Sequence, residues 1–481
     1  MIDFLHTRGH AALRSPQSLR SRSVDSLSMP KTDISFVTSG SYPTRAGNSV
    51  RPLIDGEPAF RRICEAIETA QQSIWVTVTF LWAAFEMPDG RGNTFDVLDR
   101  AARRGLDVRL IFWRPDPETE WFQRNAFWGS AAHVGLLESR RSGVKIRWDR
   151  AHPGFCQHQK TWLIDAGAEM EIAFIGGINL NPHSMVAPGH SGEGHNHDVA
   201  VELAGPSVVD VHHNFVQRWN EASERSAENG RWGTGSDANL RHPVRVPFDR
   251  GNAAVQIQRT IHSGRYLDGQ STPGGRLYDI ASGERSNFDQ YCAAIDAARF
   301  SIYMENQYID VPEIADCLLR ALRRGVYVTL LMPAKPEIRL PISPERRAFL
   351  NARSELGRFE QFMLAGIAGL GVDGQRHPVY VHAKLMLVDD AWATVGSCNL
   401  HRFSLFGNSE MNVAFAEPGT VRSFRCELFR EHLDRDTSGM SDREAFHLFR
   451  TIAKENRRKF ELGDSAWQGL AFELDLATYT G

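Results

Sequence analysis

The sequence predicts an α/β fold built twice over, each copy carrying a mixed sheet largely covered by helices. Two observations lead there. Helical and strand-like segments alternate along the chain, which is the pattern of an α/β fold. The same segments then recur with their spacing kept: Cys64 to Ser73 in the first half matches Cys292 to Ser301 in the second. A third observation, one short motif present in each half, asks for an active site made from both. At 481 residues the chain is too long for one ordinary core and suits such a duplication.

The elements follow in order. Residues 1–49 are rich in Ser and Arg (Arg8, Arg14, Arg20, Arg22) and lack an apolar core, so a disordered tail is expected rather than a secretory signal. Repeat one spans 50–225. A helical run from Ala59 to Ile67 leads to a strand from Ser73 to Val78. A second helix, Phe95 to Arg104, leads through Gly105 to a strand from Val108 to Phe112. Residues 226–250 read as a polar linker. Repeat two spans 251–435, with helices at Asn287–Ile295 and Ile314–Arg324 and strands at Ser301–Met304 and Val328–Met332. The second helix of each repeat ends Arg-Arg-Gly, with glycine where a helix C-cap wants it. Residues 436–481 carry an amphipathic helix through Phe446, Leu448, Phe449 and Ile452, then an irregular tail.

Composition narrows the class. Hydrophobic content of 42% and charged content of 23% are ordinary for a soluble globular protein. The net charge of −3 offers no strong basic field to gather nucleic acid. The six cysteines form no CxxC pair and no zinc ligand set, and read as free thiols in a reducing compartment. No apolar stretch reaches the length of about 18 residues that spans a membrane. A soluble or peripheral membrane protein is expected, cytoplasmic, with non-classical secretion as the alternative.

The motif is H-x-K-x4-D. It occurs as His158-Gln159-Lys160 running to Asp165, and as His382-Ala383-Lys384 running to Asp389. After each comes a hydrophobic run and a small-residue turn ending in asparagine, Gly176-Gly177-Ile178-Asn179 and Gly396-Ser397-Cys398-Asn399. The chain has only seven lysines among its 55 Lys and Arg, and two of them sit in these motifs. A site that needs one compact ammonium on one phosphate oxygen keeps lysine, because arginine is a planar fork.

Placed on a strand, His and Lys two residues apart face one way. Two such halves offer two imidazoles, two ammonium groups and two amides around a space suited to phosphate. One histidine would attack phosphorus and form a phosphohistidine. The other would protonate the leaving alcohol, then activate the incoming water or alcohol. Lys160, Lys384, Asn179 and Asn399 would bind the phosphate and stabilise charge on its oxygens. Each imidazole needs a carboxylate to fix its tautomer, and Asp198 and Glu410 lie downstream of the two motifs. Asp165 and Asp389 end apolar strands and read as structural supports.

These features carry a resemblance. From about residue 50 to 435 the chain resembles the phospholipase D superfamily, and details resemble its phospholipase D branch. They are Phe174 to Leu180, His197-Asp198-Val199, Gly205-Pro206-Ser207, Phe215 to Asn220 and, before the second motif, Ile302 to Ile309. The resemblance implies two α/β/α sandwich domains with the active site at their interface. It implies phosphodiester hydrolysis or phosphatidyl transfer through a phosphohistidine, with His158 as nucleophile, His382 as general acid/base, and no cofactor. One departure stands out: ten residues separate Asp165 from Gly176, where six separate Asp389 from Gly396. The extra four read as a longer turn around Ala166 to Met170.

The expected activity is hydrolysis of glycerophospholipids at a membrane surface to phosphatidic acid and a free headgroup alcohol. Water or an alcohol is the acceptor, and the protein acts as a monomer. A phosphatidyltransferase resembling cardiolipin or phosphatidylserine synthases is the alternative within the same chemistry. A nucleic-acid phosphodiesterase and a non-catalytic lipid-binding module are the alternatives outside it. The first conflicts with the acidic balance, since backbone binding relies on many cations. The second conflicts with two intact motifs. The crowded histidines His183, His190, His195, His197, His212 and His213 lack H-x3-H or H-E-x-x-H spacing, so no metal is expected. The aromatic cluster Phe112, Trp113, Trp121, Phe122, Phe127 and Trp128 reads as core, with a lipid-facing rim as the alternative.

Overall fold

A computed structural model of the chain describes residues 34–116, 119, 126–141, 143–223, 239–335, 353–476 and 479. The first repeat contributes β1 (Arg45–Ile54), β2 (Ser73–Val78), β3 (Asp107–Trp113), β4 (Lys145–Asp149), β5 (Thr161–Ile164), β6 (Ile172–Gly176), β7 (Asn196–His197) and β8 (Val199–Ala204). The second contributes β9 (Ala253–Ile261), β10 (Glu284–Arg285), β11 (Ser301–Glu305), β12 (Tyr327–Leu331), β13 (Phe362–Leu370), β14 (Arg376–Pro378), β15 (Tyr380–Val381), β16 (Leu385–Val388), β17 (Trp392–Gly396) and β18 (Glu410–Ala416). A final strand, β19, spans Ala471–Glu473.

Pairing shows the duplication directly. In the first repeat the strand order is β4-β3-β2-β5-β6-β8-β1, with β4-β3-β2 parallel and the rest antiparallel. In the second it is β13-β12-β11-β16-β17-β18-β9, with the same division into parallel and antiparallel. The two sheets join where β1 meets β9, at Arg45 opposite Val255 and Asn48 opposite Ala253. The predicted longer turn lies between β5 and β6.

The helices form where the sequence pattern puts them. Helix Thr94–Arg103 starts at a capping box, with Asn93 and Asp96 each bonding the other's backbone N–H. Helix Pro312–Arg323 starts with proline in its first turn, where the missing N–H costs nothing. Both stop at the predicted glycines, Gly105 at φ 89° and Gly325 at φ 86°, a backbone that glycine adopts without strain. Helix Asp442–Glu461 buries Phe446, Phe449 and Ile452.

Three apolar layers hold these elements. One packs the first repeat's helices on its sheet, around Phe60, Ile74, Leu110 and Trp148. One does the same for the second, around Ile302, Leu318, Leu330 and Trp392. The third is shared: Leu163, Ile175, Val199 and Val201 cluster with Val255, Leu385, Val395 and Val413. Each such side chain contributes about 1.5–3 kcal/mol on burial, so the halves are bound by a core of their own. Buried Arg259 of the second repeat adds polar ties to Asn214 (3.0 Å) and Gln217 (2.8 Å) of the first.

Three expectations need correction. The tail expected over 1–49 does not reach 49: residues 34–49 pack against the body. Ile34 and Tyr42 are buried, Ser41 bonds Glu284, and β1 begins at Arg45 because it is the strand that pairs with both β8 and β9. The rest of that tail, residues 1–33, lies outside the described residues. The irregular C-terminal tail contains β19, which pairs antiparallel with β13; among the described residues β4, the matching strand of the first repeat, has no such partner. The H-x-K segments are not within strands: β5 begins at Thr161 and β16 at Leu385, one residue after each motif lysine. Of the expected linker, residues 239–250 carry no regular element, and 226–238 lie outside the described residues.

Candidate active site

The H-x-K segments stop short of their own sheets because each is paired to the opposite repeat. His158 N donates to Ser409 O at 2.9 Å, and His382 N donates to His197 O at 2.8 Å. Gln157 bridges Ser409, and β15 pairs in parallel with β7. These crossings set both imidazoles, with Asn179 and Asn399, on the wall of one cavity of about 1100 Å³.

The carboxylates cross over as well. His158 Nδ1 lies 2.9 Å from Glu410 Oε2 of the second repeat, and His382 Nδ1 lies 2.6 Å from Asp198 Oδ2 of the first. Both carboxylates are buried. With Nδ1–H donated to a carboxylate, each ring keeps its Nε2 for the cavity. Sequence order placed Asp198 and Glu410 downstream of their own motifs, and each serves the other one.

The lysines repeat this symmetry. Lys160 Nζ donates to His158 O (2.8 Å) and reaches Thr79 Oγ1 at 3.5 Å; Lys384 Nζ donates to His382 O and to Gln307 Oε1 at 3.3 Å. Thr79 and Gln307 escaped the motif reading. The repeat offset that relates Ser73 to Ser301 also relates Thr79 to Gln307, so the alignment of the two halves holds the signal. Intervening Gln159 turns away from the cavity and bonds Asn214. Asn179 and Asn399 each have a buried amide oxygen without a hydrogen-bond partner.

Burial shapes the charges. It pushes the Lys160 ammonium down to about 8 and the Lys384 ammonium down to about 7. It lowers both imidazoles, His382 to about 4, where the nearby Lys384 charge adds to the effect. Burial works to raise Glu410, but the His158 charge and hydrogen bond outweigh it and hold the carboxylate low. The site therefore presents two carboxylate-bound imidazoles and two ammonium groups whose charge an incoming phosphate anion would stabilise.

Asp165 and Asp389 stand away from this cavity. Asp165 accepts the backbone N–H groups of Gln71, Gln72 and Ser73, and Asp389 those of Arg299, Phe300 and Ser301. Each clamps the turn into β2 or β11. Of the aromatic cluster, Phe112 and Phe127 are core and Trp113 is both buried and on the cavity wall. Trp121 and Phe122 lie outside the described residues. Other cavity aromatics come from places the sequence did not single out, among them Phe80, Trp82, Phe155, Tyr380 and Phe403. Among the described residues no helix is long and apolar enough to cross a membrane.

Comparison with known proteins gives the family. The family model described as cardiolipin synthase, PLD-like domain matches residues 63–219 and 291–432, one segment per repeat, and the phospholipase D model matches 190–310. The chain is similar to cardiolipin synthase B of Escherichia coli K12, 26% identical over 77% of this chain and 76% of that one. It is also similar to phospholipase D alpha 1 of Arabidopsis thaliana, 23% identical over 81% of this chain and 65% of that one. Among solved structures, the phosphatidylserine synthase of Haemophilus influenzae Rd KW20 shares the fold. Its TM-score is 0.51 at 13% identity, covering 87% of this chain and 96% of that one. With both repeats matched and both motifs on one cavity, the chain belongs to the phospholipase D superfamily and is a phosphodiesterase of that superfamily.

Proposed function

We propose that the chain hydrolyses glycerophospholipids to phosphatidic acid and the free headgroup alcohol, and that alcohols can replace water. The observation that carries this reading is the pair of imidazoles on one cavity, each locked at Nδ1 by a carboxylate from the opposite repeat. His158 Nε2 attacks phosphorus and the P–O bond to the headgroup breaks. His382, protonated once the phosphate anion is bound beside it, gives its proton to the leaving oxygen. Water then loses a proton to His382 and attacks the phosphohistidine, which releases phosphatidic acid and restores His158. Lys160, Lys384, Asn179 and Asn399 hold the non-bridging oxygens throughout.

The aromatic lining supports a lipid substrate. Phe80, Trp82, Phe155, Tyr380 and Phe403 offer apolar surface to a glycerol backbone and its chains. A nucleic-acid backbone would ask for a track of cations. A phosphatidyltransferase is the second reading, favoured by the similarity to cardiolipin synthase B.

The test presents phosphatidylcholine vesicles, phosphatidylglycerol vesicles and single-stranded DNA, each with and without ethanol. Phosphatidic acid from the first, diverted to phosphatidylethanol by ethanol, is expected. Cardiolipin from phosphatidylglycerol, with little phosphatidic acid, would make the chain a transferase. Cleavage of DNA alone would overturn the lipid reading. Rapid quenching with phospholipid labelled at phosphorus is expected to leave the label on His158; label on His382 reverses the roles and keeps the mechanism.

A further inference from the structure

Behind Asp198, away from the cavity, four side chains from distant parts of the chain converge. They are Asp55 just before helix Gly56–Thr69, His190 in the loop before β7, His197 in β7, and Glu431 on helix Pro418–Leu433 of the second repeat. One ligand atom from each lies within 4.8 Å of all the others. His190 Nε2 is 3.3 Å from His197 Nδ1, 3.3 Å from Asp55 Oδ2 and 3.3 Å from Glu431 Oε1. His197 Nδ1 is 3.0 Å from Asp55 Oδ1.

We propose that these four residues form a structural zinc site joining the two repeats. Zinc bound to nitrogen and oxygen at about 2.0–2.2 Å in a tetrahedron holds its ligands about 3.3–3.6 Å apart along each edge. The three distances from His190 have that length. Two imidazoles with two carboxylates suit zinc, whereas calcium and magnesium take oxygen ligands in larger numbers.

The surroundings supply what a histidine–metal bond requires. His197 uses Nδ1 toward the cluster and turns Nε2 to Glu305 Oε2 at 3.0 Å. That is the outer carboxylate which fixes the tautomer of a metal-ligating histidine. Glu305 Oε1 is held in turn by the Tyr303 hydroxyl at 2.8 Å. Glu431 Oε1 accepts the Gly189 N–H at 2.9 Å, and Asp198 N reaches Asp55 Oδ1 at 3.5 Å. Asp55 is fully buried with only the His190 ring, at 3.3 Å, against its Oδ2, and Glu431 Oε2 is buried with no hydrogen-bond partner. An unpaired buried carboxylate oxygen is costly, and a cation at the centre removes that cost.

The backbone points the same way. Asp55 has φ 64° and ψ 160°, a conformation close to exclusive to glycine. The repeat offset relates Asp55 to Gly283, which has φ 84° and ψ 178°. The first repeat thus keeps a strained aspartate where the second has a glycine. A ligand whose carboxylate must reach this point accounts for the choice. His190 is also left-handed, at φ 48°. Enclosed by four protein ligands, the site has no open position for substrate and is structural in kind. It fixes the segment that carries Asp198, the carboxylate bonded to His382.

The test uses the full chain. Protein equilibrated with zinc, then dialysed against metal-free buffer, is expected to retain about one zinc per chain by plasma emission. Cobalt in its place should give visible d–d bands of tetrahedral intensity. Zinc should raise Tm by about 3 °C over chelator-stripped protein. His190→Ala should lose the retained zinc and the cobalt bands while far-UV circular dichroism stays native. Should His190→Ala fail to fold, the wild-type metal content, cobalt spectrum and Tm shift decide alone. Wild-type protein that retains no zinc, and whose Tm ignores zinc and chelator, overturns the site; the cluster is then a hydrogen-bonded imidazolium–carboxylate network.

Discussion

The two halves of the cavity solve one problem with different parts. On one side Glu410 reaches His158, and on the other the shorter Asp198 reaches His382. The neighbouring turns compensate. Where the second repeat has Ser397, the first has Gly177. The Ser397 hydroxyl donates to Glu410 Oε2 at 2.6 Å. A Cβ on Gly177 would sit 2.5 Å from Asp198 Oδ1. The longer carboxylate is thus steadied by a hydroxyl, and the shorter one lies against bare backbone. The comparison teaches that each cavity imidazole is positioned by the opposite repeat, so neither half of the cavity is complete alone.

The largest effects come from breaking the crossed pairs. Asp198→Asn and Glu410→Gln should each lower kcat by about 10³–10⁴, since an amide favours the wrong tautomer. The roles then separate with an activated leaving group such as p-nitrophenol, which departs without a proton. Asp198→Asn should still release a burst of p-nitrophenol and stall at the phosphohistidine. Glu410→Gln should show no burst. The opposite pattern would mean that His382 is the nucleophile, and equal bursts would mean that the carboxylates do not divide their work.

The lysines come next. Lys160→Arg and Lys384→Arg keep the charge but replace a compact ammonium with a wide fork in a buried pocket. Each should cost on the order of 3–4 kcal/mol in the transition state, or about 10²–10³ in rate. Wild-type kcat/KM should fall as pH rises through about 7 to 8, because Lys384 and Lys160 lose their protons there in the free enzyme. The alkaline limb of kcat should lie higher, because bound phosphate stabilises the ammonium. A kcat/KM that stays flat to pH 9 would show that these ammonium groups do not titrate in that range, and rates within about threefold for both arginine variants would reduce the lysines to general positive charge.

The turns are subtler. Gly177→Ser should displace Asp198 and cost about 10²-fold, the scale of a misplacement near 1 Å. Ser397→Ala removes one charge-assisted bond and should cost about 1–2 kcal/mol, or about 5- to 30-fold. Combining Gly177→Ser with Asp198→Glu rebuilds the second repeat's pair inside the first. It should recover activity over Gly177→Ser alone, and a combination that falls further would refute the compensation.

Much of this was legible in the sequence. The duplication, the Arg-Arg-Gly helix ends, both motifs and the two asparagines all declare themselves by spacing and residue type. What stayed hidden is what depends on pairing between the halves. Order along the chain marks Asp198 and Glu410 as candidates but does not say which imidazole each one serves; strand-like crossings at Gln157–Ser409 and β15–β7 carry each motif to the other repeat's carboxylate. The cluster of Asp55, His190, His197 and Glu431 was hidden for the same reason, since ligands brought together by the fold leave no spacing to read. β1 was hidden because a polar run such as Arg45 to Ser49 becomes a strand only by having two partners.

The smallest effect on activity should come from the motif aspartates, which look the most conspicuous in sequence after the histidines and lysines. Asp165 and Asp389 each accept three backbone N–H groups and sit at φ 56° and 54°. Asn fits the left-handed backbone, so Asp165→Asn and Asp389→Asn test the carboxylate and leave the turn intact. Each loses charge-assisted bonds to the start of a central strand and should cost about 1–3 kcal/mol of stability, seen as a lower Tm. At 25 °C kcat should stay within about threefold of the parent, since neither side chain lines the cavity. Similar losses at the two positions would show the same clamp built twice. A fall in kcat without a fall in Tm at either one would move that aspartate from the scaffold into the chemistry.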